Sequence, residues 1–450
     1  MKDKPAAVLM PDEPTLFALP PAGVPTPKPA GGDPKRGARL RQADRQQMAW
    51  GRIDLDAQLP DEHPARAIWT LIERLDLSVL YAQIEARDEV AGASAIDPKI
   101  QLALWVYATS DGEGSARELW RLTTMHAAYR WLCGGVAIGY HTLSDFRSQQ
   151  GDVLDTLITQ VLALLMKQDL VDLSRVAQDG TRVRASAGAA SFRRGQTLEA
   201  LMQQAREHLE AVTRDAADPA ISARQAAARK RGAKQRLERL EAAIAQIPAV
   251  TETKKRSGAK DAVVRVSTTD PDARVMKMGD GGFRPAFNVQ FSTTTDRARV
   301  IVGIDVTNCG SDAGQSTPML EQIEQRTGVR PDEMLVDGGY AQHDAIDEAT
   351  EKQVTVYAPV PKPRKGDTRD PHAPLEDDSE AVAAWRQRMG TDQAKDIYKQ
   401  RAATAETVNA DAKQHRGLNS FAVRGLDKAL GSASLFALTY NILRMITLGG

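Results

Sequence analysis

Apolar residues recur at three- and four-residue intervals through Ala67, Ile68, Leu71, Ile72 and Leu75, and again through Ile100, Leu102, Leu104, Trp105 and Tyr107. That period belongs to amphipathic helices. Asp97-Pro98 supplies an N-cap and a proline at the first helical position. Ser115-Ala116-Arg117-Glu118 has the spacing of a capping box that opens a helix toward Trp120 and Leu122. The chain from His63-Pro64 to about Leu170 therefore reads as all helical. The period changes at Arg175-Val176-Ala177-Gln178-Asp179, a short strand closed by Asp179-Gly180. Next, Leu198, Leu201, Ala205 and Leu209, then Leu237, Leu240 and Ile244, predict a long charged helical hairpin over residues 196–247, broken near Asp218-Pro219.

Two strand signals, Phe287-Asn288-Val289-Gln290-Phe291 and Val300-Ile301-Val302-Gly303-Ile304, are separated by the polar Thr293-Thr294-Thr295-Asp296 and predict a β-hairpin. A helix through Pro318, Leu320 and Ile323 follows, then a strand at Met334-Leu335-Val336 that ends in Asp337-Gly338-Gly339-Tyr340, then a strand at Val354–Tyr357. Residues 361–380, rich in charge and proline, read as a loop, and the remainder to 446 is helical again. The predicted order is strand, strand, strand, helix, strand, helix, strand, with a helical insertion after the first strand.

Composition sharpens this outline at its start. Residues 1–48 are rich in proline and glycine and cannot bury enough apolar area to offset chain entropy, so they read as a disordered tail. At 42% hydrophobic and 26% charged, the 450 residues otherwise contain ample material for a core. Only Cys133 and Cys309 are present, with no CxxC and no Cys/His cluster, which excludes a disulfide framework and a structural zinc site. The N-terminus has no h-region of secretory length and no run approaches eighteen uninterrupted apolar residues, so a cytosolic protein without a membrane partner is expected. The net charge of +0 conceals a division: residues 201–300 hold 19 basic and 12 acidic side chains, residues 301–350 only 2 basic and 10 acidic. Arg224 to Arg239 alone contains seven cations and one acid, a density suited to neutralising phosphates.

Phosphodiester chemistry needs in-line geometry and neutralised oxygens, which paired Mg²⁺ ions held by carboxylates supply. Asp179 and Asp337 each stand at a predicted strand end, where open sheets bind ligands, and adjacent central strands would bring them together. Taken singly, each Asp-Gly is more readily a turn. In the helix near 400 stand Tyr398, Arg401, Glu406 and Lys413. At about 100° per residue, Glu406 and Lys413 fall within about 20° of one face, with Asn409 beside them. By composition alone that helix reads as a solvated face with ordinary ion pairs.

Asp179-Gly180-Thr181, Asp337-Gly338-Gly339-Tyr340 and the Tyr398, Arg401, Glu406, Lys413 series resemble the three acidic regions of the DDE transposases of bacterial insertion sequences. Leu104–Tyr107, Gly114–Arg117, Trp131–Gly135 and His141–Arg147 are similar to the N-terminal domain of those enzymes, and Asp270–Arg274, Asn288–Gln290 and Arg424–Leu426 extend the likeness over residues 50 to 446. The resemblance implies an α/β RNase H-like catalytic core with a helical hairpin insertion, preceded by an all-α N-terminal domain. The boundaries expected are a tail at 1–48, a helical DNA-binding domain at 49–170, a catalytic domain at 171–195 and 262–446, and a hairpin insertion with basic linker at 196–261. Asp179, Asp337 and Glu406 are implied as the triad for two Mg²⁺ ions, with Mn²⁺ able to substitute. Tyr398, Arg401 and Lys413 are implied to contact the transposon end.

The interval from Arg401 to Glu406 is one residue longer than in the commonest form of that signature, which on an ideal helix sets Arg401 about 140° around from Glu406. Arg182, Arg184, Arg193 and Arg194 follow the first aspartate with no acid between them and are expected on DNA. Asp305 and Asp312 are ranked as structural or supporting acids. A helix-turn-helix between Asp97 and Trp131 could read terminal repeats, with Arg117, Arg121, Arg130 and Arg147 on phosphates. Trp105, Tyr107, Trp120 and Trp131 are assigned to core, and His141 to packing or capping. The function expected is a transposase that binds terminal inverted repeats, cleaves and transfers strands, and works as a homodimer on transposon ends and target DNA in the bacterial cytoplasm, associated with the nucleoid when bound. A domesticated nuclease with the same core, or an inactive DNA-binding scaffold, are the alternatives.

Overall fold

In the N-terminal region of the computed structural model, α1 (Pro64–Ile72), α2 (Ser78–Ala82), α3 (Pro98–Ser110), α4 (Ala116–Met125), α5 (Ala127–Cys133), α6 (Tyr140–Gln149) and α7 (Gly151–Lys167) follow one another. The structure describes residues 54–84, 86, 94–215, 221–256, 263–363 and 368–449. The tail expected at 1–48 and the break expected at Asp218-Pro219 lie outside these. Asp97 caps α3, its Oδ1 accepting from Lys99 N at 2.8 Å, with Pro98 in the first turn. From Ile100 to Thr109 every residue of α3 is buried. A helix apolar on all sides belongs in the interior, and α3 packs there against α1, α5, α6 and the last helix. At α4 the Ser115 hydroxyl accepts from Glu118 N at 3.3 Å, but the Glu118 carboxylate turns to Arg121 instead of closing the capping box.

Two placements correct the sequence reading. Trp120 is 46% exposed on α4: it lies one turn from the buried Ala116, but among the described aromatic rings its own meets only that of Tyr140, 6.2 Å away, at the rim of the helical region. Arg147 is buried, donating to Gly114 O with its guanidinium 4.6 Å from the Trp105 ring, so it holds the α3–α4 loop rather than a phosphate.

The strands are β1 (Arg175–Arg184), β2 (Phe192–Arg193), β3 (Val266–Ser267), β4 (Arg274–Lys277), β5 (Phe283–Thr294), β6 (Ile301–Thr307), β7 (Glu333–Leu335) and β8 (Thr355–Tyr357). The main sheet runs β4-β5-β1-β7-β8, with β6 also on β5. It is mixed, since β1 is antiparallel to β5 and parallel to β7, and β5 and β6 are antiparallel with a bulge at Ser292/Thr293. Strands β2 to β4 left no signal in the sequence because each spans only two to four residues.

Between β2 and β3 lie α8 (Gly195–Asp215), α9 (Ala223–Ala245) and α10 (Ile247–Arg256). Leu198 and Ala205 meet Leu240 and Ala243 in a small core separate from the main one. The remaining helices are α11 (Ser316–Thr327), α12 (His343–Glu351), α13 (Glu380–Gly390), α14 (Asp392–Arg401), the four-residue α15 (Thr407–Ala410) and α16 (Leu426–Gly449).

Helices cover both faces of the sheet. Phe436 of α16 meets Phe291 on one face, and Met319 of α11 lies over Gly303 on the other. Edge strand β6 has its outward backbone groups met by side chains: Asn441 bonds both N–H and C=O of Ile301, Gln322 both of Ile304, and Arg326 the Val302 carbonyl. An edge saturated in this way offers no template to another strand. Among the described residues α16 is the one helix long and apolar enough to cross a membrane, and most of it is buried in the core it shares with α3 and α7.

Candidate active site

The parallel ladder of β1 and β7 ends at Ala177 opposite Leu335. Asp179 and Asp337 each stand two residues farther along, so the two-residue alternation of strands sends both to one face at one level. Asp179 does not end its strand, as the sequence reading had it. β1 continues to Arg184 against β5, pairing Asp179 with Phe291 and Arg184 with Ala286, and only its parallel neighbour stops. Nor does Gly180 make a turn: a Cβ there would come closer than 3.0 Å to Asp312 Oδ1, Gln290 Nε2 and Asn288 Oδ1. It is glycine because side chains from β5 and the β6–α11 loop cross its Cα.

The third acid comes from a helix that is not regular. After α14 the chain is π-wound over Ala402–Glu406, resumes as α15, and is π-wound again over Asp411–His415. Winding with i→i+5 bonds brings residues five apart to one side, so Arg401 Nη1 lies 3.9 Å from Glu406 Oε1. The separation of about 140° belongs to an ideal α-helix, and the π-wound turn removes it. The same guanidinium is 2.9 Å from Asp179 Oδ1 and 3.9 Å from Asp337 Oδ2. Asn409 Nδ2 donates to Asp179 Oδ2 at 3.0 Å. Three carboxylates from three elements thus surround one cation. Their exposure rises from 17% at Asp179 through 41% at Asp337 to 63% at Glu406, which leaves the site open on the helix side.

The electrostatics follow from this packing. Burial pushes the Asp179 pKa up, Arg401 opposes the rise, and the Asp337 and Asp312 charges add to it. Burial works against the Arg401 cation, but Asp179, Tyr398, Asp337 and Glu406 together hold its pKa above the ordinary guanidinium value. Tyr398, hydrogen-bonded to Arg401, is raised chiefly by burial. Lys413 is pulled down by burial and by Arg182, against the pull of Asp179, so it stands among the same charges.

Among the described residues no three carboxylate, imidazole or thiol side chains stand close enough to hold a metal ion as arranged, because Arg401 takes the centre. The donor set itself is oxygen only, with three carboxylates against one guanidinium and the Asn409 Oδ1 atom buried without a partner. That donor chemistry is of the kind a hard divalent cation takes, with the Arg401 guanidinium at its centre in this structure.

The other cations expected on DNA are placed differently from one another. Arg182 is tied to Asp312 Oδ2 at 3.0 Å and to the Gly310 carbonyl at 2.9 Å. Arg184 is exposed, its main chain bonded to Asn419 and Phe421, and Arg193 and Arg194 are exposed where the helical insertion begins. Asp305 is half-buried and accepts from Val306 N, and Asp312 is buried beneath Gly180.

A polar network that sequence reasoning missed lies on the face of β1 opposite Asp179. Asp312 Oδ1 accepts from Asn288 Nδ2 at 2.7 Å and Gln290 Nε2 at 2.8 Å, Gln178 Nε2 reaches Gln290 Oε1 at 3.1 Å, and the buried Tyr340 hydroxyl donates to the same oxygen. The signal available was Asn288 and Gln290 at alternate positions of an otherwise apolar strand, since buried amides need partners.

Comparison with known proteins bears on two stretches. Residues 365–446 match a transposase DDE domain, and residues 53–149 match a transposase domain (DUF772). Glu406, Asn409 and Lys413 lie within the first match, while Asp179 and Asp337 lie in the unmatched stretch between the two. Neither the curated proteins nor the solved structures yield a match to this chain.

Proposed function

We propose, for a chain that belongs with the DDE transposases of insertion sequences, that Asp179, Asp337 and Glu406 form the centre that cuts the element's ends and joins them to target DNA. The observation that carries this reading is the convergence of those three carboxylates, from β1, the loop after β7 and the helix beyond α14, on one cationic group. Transposases act on DNA, and a DDE domain implies an RNase H-like core with divalent-metal chemistry. Two Mg²⁺ ions, or Mn²⁺ in their place, would neutralise the attacking and leaving oxygens of an in-line displacement.

The protein's own part is positioning. Asp179 is held from one side by Asn409 and from beneath by the packing at Gly180. Lys413 and Tyr398 lie beside the acids, where an ammonium and a phenol can bind the phosphates flanking the scissile bond. Arg401, released from the carboxylates, joins them. Arg184, Arg193 and Arg194 extend the cationic surface toward the insertion, and Arg182 does so from its pair with Asp312. Terminal inverted repeats are the DNA bound, two ends require at least a dimer, and the reaction takes place in the cytoplasm.

The test is incubation with a labelled cognate end and Mg²⁺. Alanine at Asp179, Asp337 or Glu406 abolishes cleavage and leaves end binding within a few-fold of wild type. Strand transfer retained by Asp337→Ala refutes the assignment.

A further inference from the structure

Two polar atoms at the centre of the site are left over. Arg401 Nε and Asn409 Oδ1 are buried without hydrogen-bond partners, a donor and an acceptor on two residues that each contact Asp179. Buried polar groups are nearly always satisfied in folded proteins, so an unmet acceptor on the amide that holds Asp179 calls for a partner.

The orientation of the amide is decided by its other end. Asn409 Nδ2 donates to Asp179 Oδ2 at 3.0 Å, and turning the amide over would set its oxygen against the carboxylate. The oxygen is therefore the atom left free, on the same carbon as the nitrogen that touches Asp179. Asn409 stands three residues after Glu406, between the two π-wound stretches. Arg401 already shows that a positive charge is accepted within reach of all three acids. An amide oxygen is a hard, neutral donor of the kind divalent cations take alongside carboxylates. It adds a ligand without adding a fourth negative charge to a site already rich in them.

We propose that Asn409 is a fourth oxygen donor of this site: its NH₂ holds Asp179 in place and its carbonyl oxygen faces the divalent cation. The inference rests on the metal reading given under Proposed function. Mn²⁺ is titrated calorimetrically, without DNA, into full-length wild type, Asn409→Ala, Asn409→Asp and Asp179→Ala, and thermal unfolding in EDTA reports on folding.

Asn409→Ala weakens Mn²⁺ binding about 10- to 100-fold, the loss typical of residues that support metal ligands, with its unfolding midpoint in EDTA near that of wild type. Asn409→Asp, which returns an oxygen but not the N–H donor, recovers part of the affinity. Binding by Asn409→Ala within twofold of wild type overturns the inference, and so does an Asn409→Asp protein that binds no better than the alanine variant. Should Asn409→Ala fail to fold, Asn409→Ser takes its place in the same comparison. If wild type itself takes up no Mn²⁺, the metal reading falls and takes this inference with it. If wild type binds and the Asn409 variants bind equally, only the inference falls.

Discussion

Gly180→Ala isolates the packing beneath the candidate site. The backbone of Gly180 is ordinary extended strand, paired with Gln290 of β5, so alanine meets no conformational barrier and would gain about 0.4–1 kcal/mol from a stiffer unfolded chain. The methyl group has no room, however, since its carbon would lie closer than 3.0 Å to Asp312 Oδ1, Gln290 Nε2 and Asn288 Oδ1. Those atoms cannot retreat freely, because Asp312 is 8% exposed and holds both amides and Arg182.

Overpacking of a dense interior costs about 1–3 kcal/mol. Loosening two hydrogen bonds to a buried carboxylate adds about 1.5–3 kcal/mol for each one lost. With one such bond lost, the variant is less stable by roughly 2–5 kcal/mol, a large share of the 5–15 kcal/mol typical of a folded protein. Gly338→Ala is the control, because its nearest neighbour to a new Cβ is Pro359 Cγ at 3.7 Å, an ordinary contact, and its expected change is within about 1 kcal/mol. Chemical denaturation of both proteins in EDTA separates them. Equal midpoints for Gly180→Ala and Gly338→Ala would sink the claim that side chains crossing Gly180 demand glycine.

Three further outcomes follow from the same structure. Burial pushes the Asp378 carboxyl up, but hydrogen bonds from Arg386 and the Leu375 N–H outweigh it and hold its pKa below the usual range. A depressed carboxylate adds stability above its unfolded pKa, near 3.9, and loses it as pH falls through the folded value, so the stability gap between wild type and Asp378→Asn should be widest above about pH 5 and close toward pH 3; a pH-independent gap counts against it. Replacing Arg224, Arg229, Lys230 and Arg231 by glutamine, all exposed on α9, should flatten the slope of log K against log salt for duplex DNA by up to about 3.6 if each meets a phosphate, and an unchanged slope removes α9 from the DNA surface. Trp105→Ala should cost about 3–5 kcal/mol in thermal or chemical unfolding, and Trp120→Ala far less, since the first is 1% exposed and the second 46%.

What could be read from the chain was whatever announces itself within a few neighbouring residues. Asp97-Pro98, followed at once by apolar residues at helical spacing, announces the start of α3, and the apolar runs of β5 and β6 on either side of a polar turn announce a pair of strands. Trp120 was misplaced because an indole among apolar neighbours looks buried, while exposure depends on which side of α4 meets another helix. Asp179 was put at a strand end because Asp-Gly is the commonest mark of a turn, and nothing local reveals that β5 runs on beside it for another five residues. The relation of Arg401 to Glu406 was hidden for a different reason. The π-wound stretch packs against β1 and β5, and the residue count between the two side chains carries no sign of the altered pitch.

The helical insertion begins and ends at the same spot. Phe192 pairs with Ser267 and Arg193 with Val266, and the Ser191 and Ser267 hydroxyls meet at 2.7 Å, so the strands entering and leaving it are buttoned together at its base. Its internal core is separate from that of the sheet. A segment held by this stem and by the Gln246 contacts to Asp272 and Arg274 can lengthen, shorten or be exchanged at its far end with little disturbance to the ladder that carries Asp179. The reach of the arm and the chemistry of the sheet are then free to diversify on separate schedules.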